Sequence, residues 1–456
     1  MSFRSTLVAV SAAAMLQASA TALHSQQADL ASYVDSLAST LIDSAQVAGV
    51  SVGVMRGAET LLFEAYGYAD LEFDVPMPEG AVHEVGSITK QFTAAAVLKL
   101  WEQGKIDLDA DVTEYLPQFD TQGHEIPLRR LFDHTSGMRG YTEMDSFDAI
   151  GTEAHPRDSL VTLIGATPFD FAPGEALIYN NSGYFLLGLI IEEVSGQSYE
   201  EYLEENIFGP LGMDDSSYCS STAIVPNRAH GYDRGPEGLQ LKEYLNHLWP
   251  YAAGSLCSTV GDQLTWLRAF HGERVLSPEA YRMMITPRAL PHGATLRYAM
   301  GLVHMTTPAG RVIMHGGGIP GYQSASRYYP DDDLSVVVLI NTNGPPGPAW
   351  VADQIAERLL GHSEPPVSMY RGDLGALEGT YEGQARGRRM TQAVRVDADG
   401  VLTSGDGDER SVISHREGTT FASGTTHYTF VVEGGRGVEL HVDQATGHYV
   451  LKRVEE

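Results

Sequence analysis

The sequence predicts an α+β fold: an antiparallel sheet flanked by helices, a mostly helical inserted region, and a small all-β domain at the C-terminal end. Three observations predict it. β-Branched apolar runs lie near both ends of residues 28–363, segments of helical character lie between them, and after Tyr370 the chain changes to short alternating runs separated by Gly and Asp. Strands at both ends of a helical stretch meet most simply in one antiparallel sheet.

The elements follow in order. Residues 1–22 read as a signal peptide. Arg4 supplies a basic start, residues 7–16 are apolar, and Ala18-Ser19-Ala20 and Ala20-Thr21-Ala22 offer the small-x-small pattern of a cleavage site. Ser11 and Gln17 interrupt the apolar run, which is too weak for a permanent span. The expectation is an exported protein, periplasmic or secreted, without a stable membrane span. Residues 30–41 read as an amphipathic helix, 50–55 as a strand, and 60–66 as its partner across a turn at Gly57. Residues 91–103 and 183–194 read as helices, 311–314 and 334–340 as strands, and 350–360 as a closing helix. Prolines 345, 346, 348, 365 and 366 bracket that helix. Runs at 393–396, 427–432, 438–442 and 448–454 then predict a small β domain over 370–456.

Charge narrows the function. A net charge of −29 repels polyphosphate, so no nucleic-acid partner is expected. Two cysteines, Cys219 and Cys257, suit either a disulfide or two buried thiols. The acidic run at 107–111 imitates a calcium loop, but Val112 and Gln118 stand where Gly and Glu are needed. No His-Glu-x-x-His string, nucleotide-binding glycine loop or Gly-x-Ser-x-Gly elbow is present. No metal and no cofactor are expected.

The sharpest local feature is Gly86-Ser87-Ile88-Thr89-Lys90, which opens a helix apolar on nearly every face. A residue three positions on shares the helical face, so the Lys90 amine reaches the Ser87 hydroxyl. Serine is a weak nucleophile that needs an adjacent base, and a lysine serves when burial lowers its pKa. Read alone, the pair is more readily an N-cap serine beside a solvated lysine than a catalytic pair. Two further groups support the catalytic reading. Tyr179-Asn180-Asn181 follows a Pro173-Gly174 turn and precedes a helix, so a phenol and an amide face one place. His315-Gly316-Gly317-Gly318 follows an apolar strand, where glycines let a substrate approach the backbone and its N–H donors. Tyr244-Leu245-Asn246 repeats the Tyr-x-Asn spacing without that setting.

Ser-x-x-Lys, Tyr-x-Asn and His-x-Gly in this order resemble the class C β-lactamase and penicillin-binding-protein superfamily of serine hydrolases. The segment Asp133-His134-Thr135-Ser136-Gly137 and the run Phe208-Gly209-Pro210-Leu211-Gly212 are similar to further landmarks of that family. The resemblance implies that Ser87 is the nucleophile, Lys90 its base and Tyr179 the proton shuttle to the leaving group. It implies that Asn181 positions Lys90 and the substrate, and that the N–H groups of Ser87 and Gly318 form the oxyanion hole. His315 and Gly317 complete the substrate-binding strand. Class C β-lactamases carry a lysine where this chain has His315, and the His form resembles D-alanyl-D-alanine carboxypeptidases, D-aminopeptidases and esterases. The substrate class implied is therefore an ester or a D-amino-acid peptide. β-Lactams form the alternative, and a binding or scaffolding protein on the same fold is the non-enzyme alternative. The C-terminal domain resembles a small β-barrel module appended to such hydrolases, and no catalytic motif is identified in it.

Overall fold

A computed structural model describes residues 27–144, 147, 151–154, 156–364, 367–405 and 410–454. The expected signal peptide, 1–22, lies outside the described residues. Helix α1 spans 27–43. Strands β1 (Gly49–Arg56) and β2 (Glu59–Asp70) pair antiparallel across Gly57, which takes a left-handed φ of 57° at the turn. Four further strands come from the far end of the domain: β3 (Val303–Thr307), β4 (Gly310–Ile319), β5 (Tyr322–Tyr329) and β6 (Leu334–Ile340). The sheet runs β3-β4-β5-β6-β1-β2, with the short Val75–Pro76 strand beyond β2. The junction between the chain's two halves is β1 against β6, with Val52 opposite Val338. The predicted union of N- and C-terminal strands is thus the middle of the sheet.

The sequence of β6 is apolar at nearly every position because helices cover both faces. Val336, Val338 and Ile340 pack with Val50, Val52 and Val54 against α1 and helix α5 (Pro348–Leu360). Val337 and Leu339 point the other way, toward α2 (Thr89–Glu102) and α4 (Val260–His271). On that second face Gly53 is required. A Cβ there would stand 2.3 Å from Val260 Cγ1, so a larger residue would push α4 off the sheet.

Between β2 and β3 lies the inserted region, helical for the most part. Its centre is α2, buried along almost its whole length, crossed by α3 (Ser182–Ser195). A Cys219–Cys257 disulfide fixes this region, settling the pairing that composition left open. Beneath it Glu84 is buried between Arg228, Lys242 and His247. Burial alone would raise its pKa, but His247 and Lys242 outweigh it and hold the carboxyl down at about 2.

The C-terminal domain includes β7 (Gly379–Ala385), β8 (Arg388–Val396), β9 (Thr426–Glu433), β10 (Arg436–Gln444) and β11 (Gly447–Arg453). In the sheet order, Ser411–Val412 and Ser414–Glu417 stand at opposite edges although only Ile413 separates them in sequence. The sheet must therefore curl back on itself. Its interior holds Tyr381, Val394, Phe421, Phe430, Leu440 and Leu451. This sheet is continuous with the first domain, since β11 pairs with the short strand Leu177–Ile178.

Candidate active site

Ser87 occupies a one-turn 3-10 segment, Gly86–Ile88, that leads directly into α2. Gly86 has φ 53°, and a Cβ on it would stand 2.9 Å from Gly318 N. Only glycine lets the nucleophile turn sit against β4. The Thr89 hydroxyl donates to Gly86 O at 2.7 Å and locks the turn. Ser87 stays partly exposed while Lys90, one turn later, is fully buried.

The lysine amine lies 3.1 Å from Ser87 Oγ, 2.8 Å from Asn181 Oδ1 and 2.6 Å from Ala253 O. Burial holds its pKa well below the ordinary lysine value. A neutral amine has two N–H donors and one lone pair. The two carbonyl oxygens accept both donors, and the lone pair is left facing the Ser87 hydroxyl. That wiring is what a general base requires. Tyr179 completes the triangle, its hydroxyl 2.8 Å from Ser87 Oγ. The Tyr179 phenol is pushed upward, chiefly by its low-polarity surroundings, so it is a proton donor at neutral pH.

Two adjacent asparagines divide the work that places Tyr179 and Lys90. Asn180 Oδ1 accepts from Gly183 N at 3.0 Å and so caps the first turn of α3. Asn181 is thereby free for Lys90, and its amide donates to Thr142 Oγ1 at 3.2 Å.

His315 stands differently from the expectation of a residue beyond the strand. It and the three glycines lie within β4, and His315 is 4% exposed. Its Nδ1 lies 2.6 Å from Gly316 O, which can only accept, so Nδ1 carries the proton. Nε2 then accepts from the Tyr298 hydroxyl at 2.8 Å. Burial, above all, pushes its pKa down to about 3. The imidazole is neutral and fully engaged behind Tyr179, with ring centroids 6.3 Å apart. It offers no cation to a substrate carboxylate.

Strand β3 pairs with β4 only from Gly310 to Met314, which leaves the Gly316–Gly318 edge without a strand beside it among the described residues. That edge faces the nucleophile turn. Gly317 is tightly enclosed, since a Cβ would stand 2.0 Å from Val85 O. Gly318 is exposed, with open space where its Cβ would be. Gly318 N stands 2.9 Å from where a Cβ on Gly86 would be, so its backbone lies directly beside the nucleophile turn.

The structure brings together Ser87, Lys90, Tyr179, Asn181, His315, Gly317 and Gly318. Tyr244, the alternative tyrosine, is 53% exposed, outside this group. Sequence reasoning missed Tyr298, Ala253 and the placement of His134. Tyr298 has no motif around it. Ala253 acts through its carbonyl, which no side chain signals, at the end of a 3-10 turn, Tyr251–Ala253. His134 lies in a recognised segment, and its buried ring packs 4.4 Å from the centroids of both Tyr179 and Tyr298.

A family model described as Beta-lactamase matches residues 34–359. The D-aminopeptidase of Gluconobacter oxydans is 28% identical over 295 residues, covering 64% of this chain and 55% of that protein. The chain therefore spans little more than half of that relative's length. Among solved structures, a D-stereospecific amidohydrolase from Streptomyces aligns with TM-score 0.61 and 26% identity, covering 73% of this chain and 99% of that one. An octameric penicillin-binding protein homologue from Pyrococcus abyssi aligns with TM-score 0.65 and 25% identity. It covers 92% of this chain and 100% of that one, so the likeness takes in part of the C-terminal domain.

Proposed function

The chain belongs to the β-lactamase family of serine hydrolases, and from that premise we propose that it cleaves amides or esters of D-amino acids through an acyl-enzyme on Ser87, outside the cytoplasm. The observation that carries this reading is the Ser87 hydroxyl held between a buried amine and a half-buried phenol. Ser87 Oγ attacks the substrate carbonyl carbon while its proton passes to Lys90 Nζ. The N–H groups of Ser87 and Gly318 hold the carbonyl oxygen as it becomes negative. The carbon–nitrogen bond breaks as Tyr179 gives its proton to the departing amine, and the Lys90 ammonium restores the phenol. Water then cleaves the Ser87 ester with the same groups used in reverse.

The choice of D-amino-acid substrates rests on the D-aminopeptidase and the D-stereospecific amidohydrolase that this chain resembles. Neutral His315 supports it, because a substrate carboxylate of the kind penicillins carry finds no fixed cation at this point of β4. The disulfide supports export, since such bonds persist in oxidising compartments.

The test compares wild type with Ser87→Ala on D-alanine p-nitroanilide, its L enantiomer, p-nitrophenyl acetate and a fluorescent penicillin. Ser87-dependent turnover of the D-anilide over the L-anilide is expected. Turnover of penicillin outpacing the D-anilide, or equal use of both enantiomers, contradicts the substrate assignment.

A further inference from the structure

His292 comes together with His441 and His448, about 150 residues further along the chain, outside the catalytic group. One ring nitrogen of each lies within 4.8 Å of those of the other two. We propose that these three histidines bind a divalent transition-metal ion of the zinc class, which fastens the C-terminal sheet to the hydrolase domain beside Tyr179. This goes against the sequence-based expectation of no metal, which searched for ligands at short spacing.

The backbone places the ligands. In the β10–β11 hairpin His441 is opposite Val450 and His448 opposite Asp443, so both histidines lie on one face, diagonal to each other. Leu440 and Leu451 fill the sheet's interior, so that histidine face turns outward to the hydrolase domain. His292 belongs to the hydrolase domain, at a turn closed by Gly293 N donating to Leu290 O at 2.8 Å. Leu290 is buried with Leu177, Leu296 and Tyr298, which fixes the turn.

Geometry and chemistry fit an ion. The three ring centroids are 5.2, 5.6 and 5.3 Å apart. With Zn–N bonds of about 2.1 Å, three imidazoles at tetrahedral angles have centroids about 5 Å apart. His448 is 4% exposed, and neither of its ring nitrogens has a hydrogen-bond partner. A buried imidazole left so is costly unless something fills the place. Asp443 Oδ1, 3.5 Å from His448 Nδ1, places a negative charge beside the ring. Glu439 Oε2, 3.4 Å from His441 Nε2, adds negative charge. A cleft of about 660 Å³ between the two domains is lined by His292, Glu439 and His441 and gives an ion its way in.

The place of the cluster gives it a consequence. His448 pairs with Leu177, and Tyr179 N donates to Thr446 O at 3.0 Å. An ion bridging His292 to the hairpin would hold that docking closed.

The experiment uses the full chain without a histidine tag, stripped with EDTA and desalted, and titrated with Co²⁺ and then Zn²⁺. Visible Co²⁺ ligand-field bands should saturate at one equivalent, Zn²⁺ should remove them, and Zn²⁺ should raise the melting temperature. His292→Ala, on an exposed turn, and His441→Ala should each weaken Co²⁺ binding about tenfold or more. In both variants the Zn²⁺-dependent rise in melting temperature should vanish. Far-UV circular dichroism confirms that the stripped variants are folded. Absence of the bands in wild type, or equal Co²⁺ affinity in wild type and both variants, would overturn the site. A melting temperature that Zn²⁺ leaves unchanged would overturn the clamp.

Discussion

At the residue scale, the account turns on which proton sits where. Lys90 serves as base only when neutral, and its pKa is lowered because α2 buries the amine among carbonyls. The sign follows directly: kcat/KM should rise with pH as Lys90 loses its proton, giving an acid limb set below the ordinary lysine value. Lys90→Arg keeps the cation at every accessible pH. It should abolish turnover across the whole profile, checked by steady-state rates from acidic to alkaline pH. Tyr179→Phe removes the leaving-group acid. Amide turnover should fall by about 10²–10⁴, and turnover of a p-nitrophenyl ester by much less, since nitrophenolate leaves without a proton. An equal loss on both substrates would contradict the shuttle role. The Ser87–Lys90–Tyr179 set was legible in the sequence because each residue acts through its own side chain at a short, ordered spacing. Ala253 and Asn180 were not, because one acts through a carbonyl and the other by freeing its neighbour.

At the element scale, the site is a junction between the Gly86–Ile88 turn and the free half of β4. The two strand glycines have different physical reasons. Gly317→Ala would drive a methyl into Val85 O and Ser324 Oγ, at 2.0 and 2.3 Å, and part the junction. It should cost about 2 kcal/mol or more of stability, measured by urea unfolding, and most of the activity. Gly318→Ala meets nothing within 4 Å and should leave stability within about 0.5 kcal/mol. The reverse ranking would mean that β4 does not abut the nucleophile as described. Element types were readable here from periodicity, and the predicted helices and β1, β2 and β6 recur with small shifts of boundary. Strand β5 was not read, because Tyr322-Gln323-Ser324-Ala325-Ser326-Arg327 has little apolar character. Those small polar residues are buried in the sheet and serve the site: Ser324 Oγ donates to Val85 O at 2.7 Å. The same blind spot made His315 look like a loop residue.

At the scale of the whole molecule, the two domains are coupled by backbone. The C-terminal sheet looked like an appendage because its sequence carries no catalytic motif. Yet β11 pairs with Leu177–Ile178, and Tyr179 N donates to Thr446 O. Ion pairs Arg386–Glu143 and Arg297–Asp443 also cross the boundary. Main-chain pairing leaves no side-chain signature, so this dependence was invisible in the sequence. A chain ending at residue 364 should keep its helical circular dichroism but lose about tenfold or more in amide kcat/KM, because the seat of Tyr179 is released. Undiminished turnover by that shortened chain would show the domains to be independent.

The central claim is an acyl-enzyme on Ser87 formed with Lys90 as base. The most direct test is mass spectrometry of peptides from enzyme quenched during turnover of a D-amino-acid p-nitrophenyl ester. The account predicts an acyl adduct on the peptide containing Ser87, and neither adduct nor turnover in Ser87→Ala. An adduct on another residue, or turnover that survives Ser87→Ala, would contradict it.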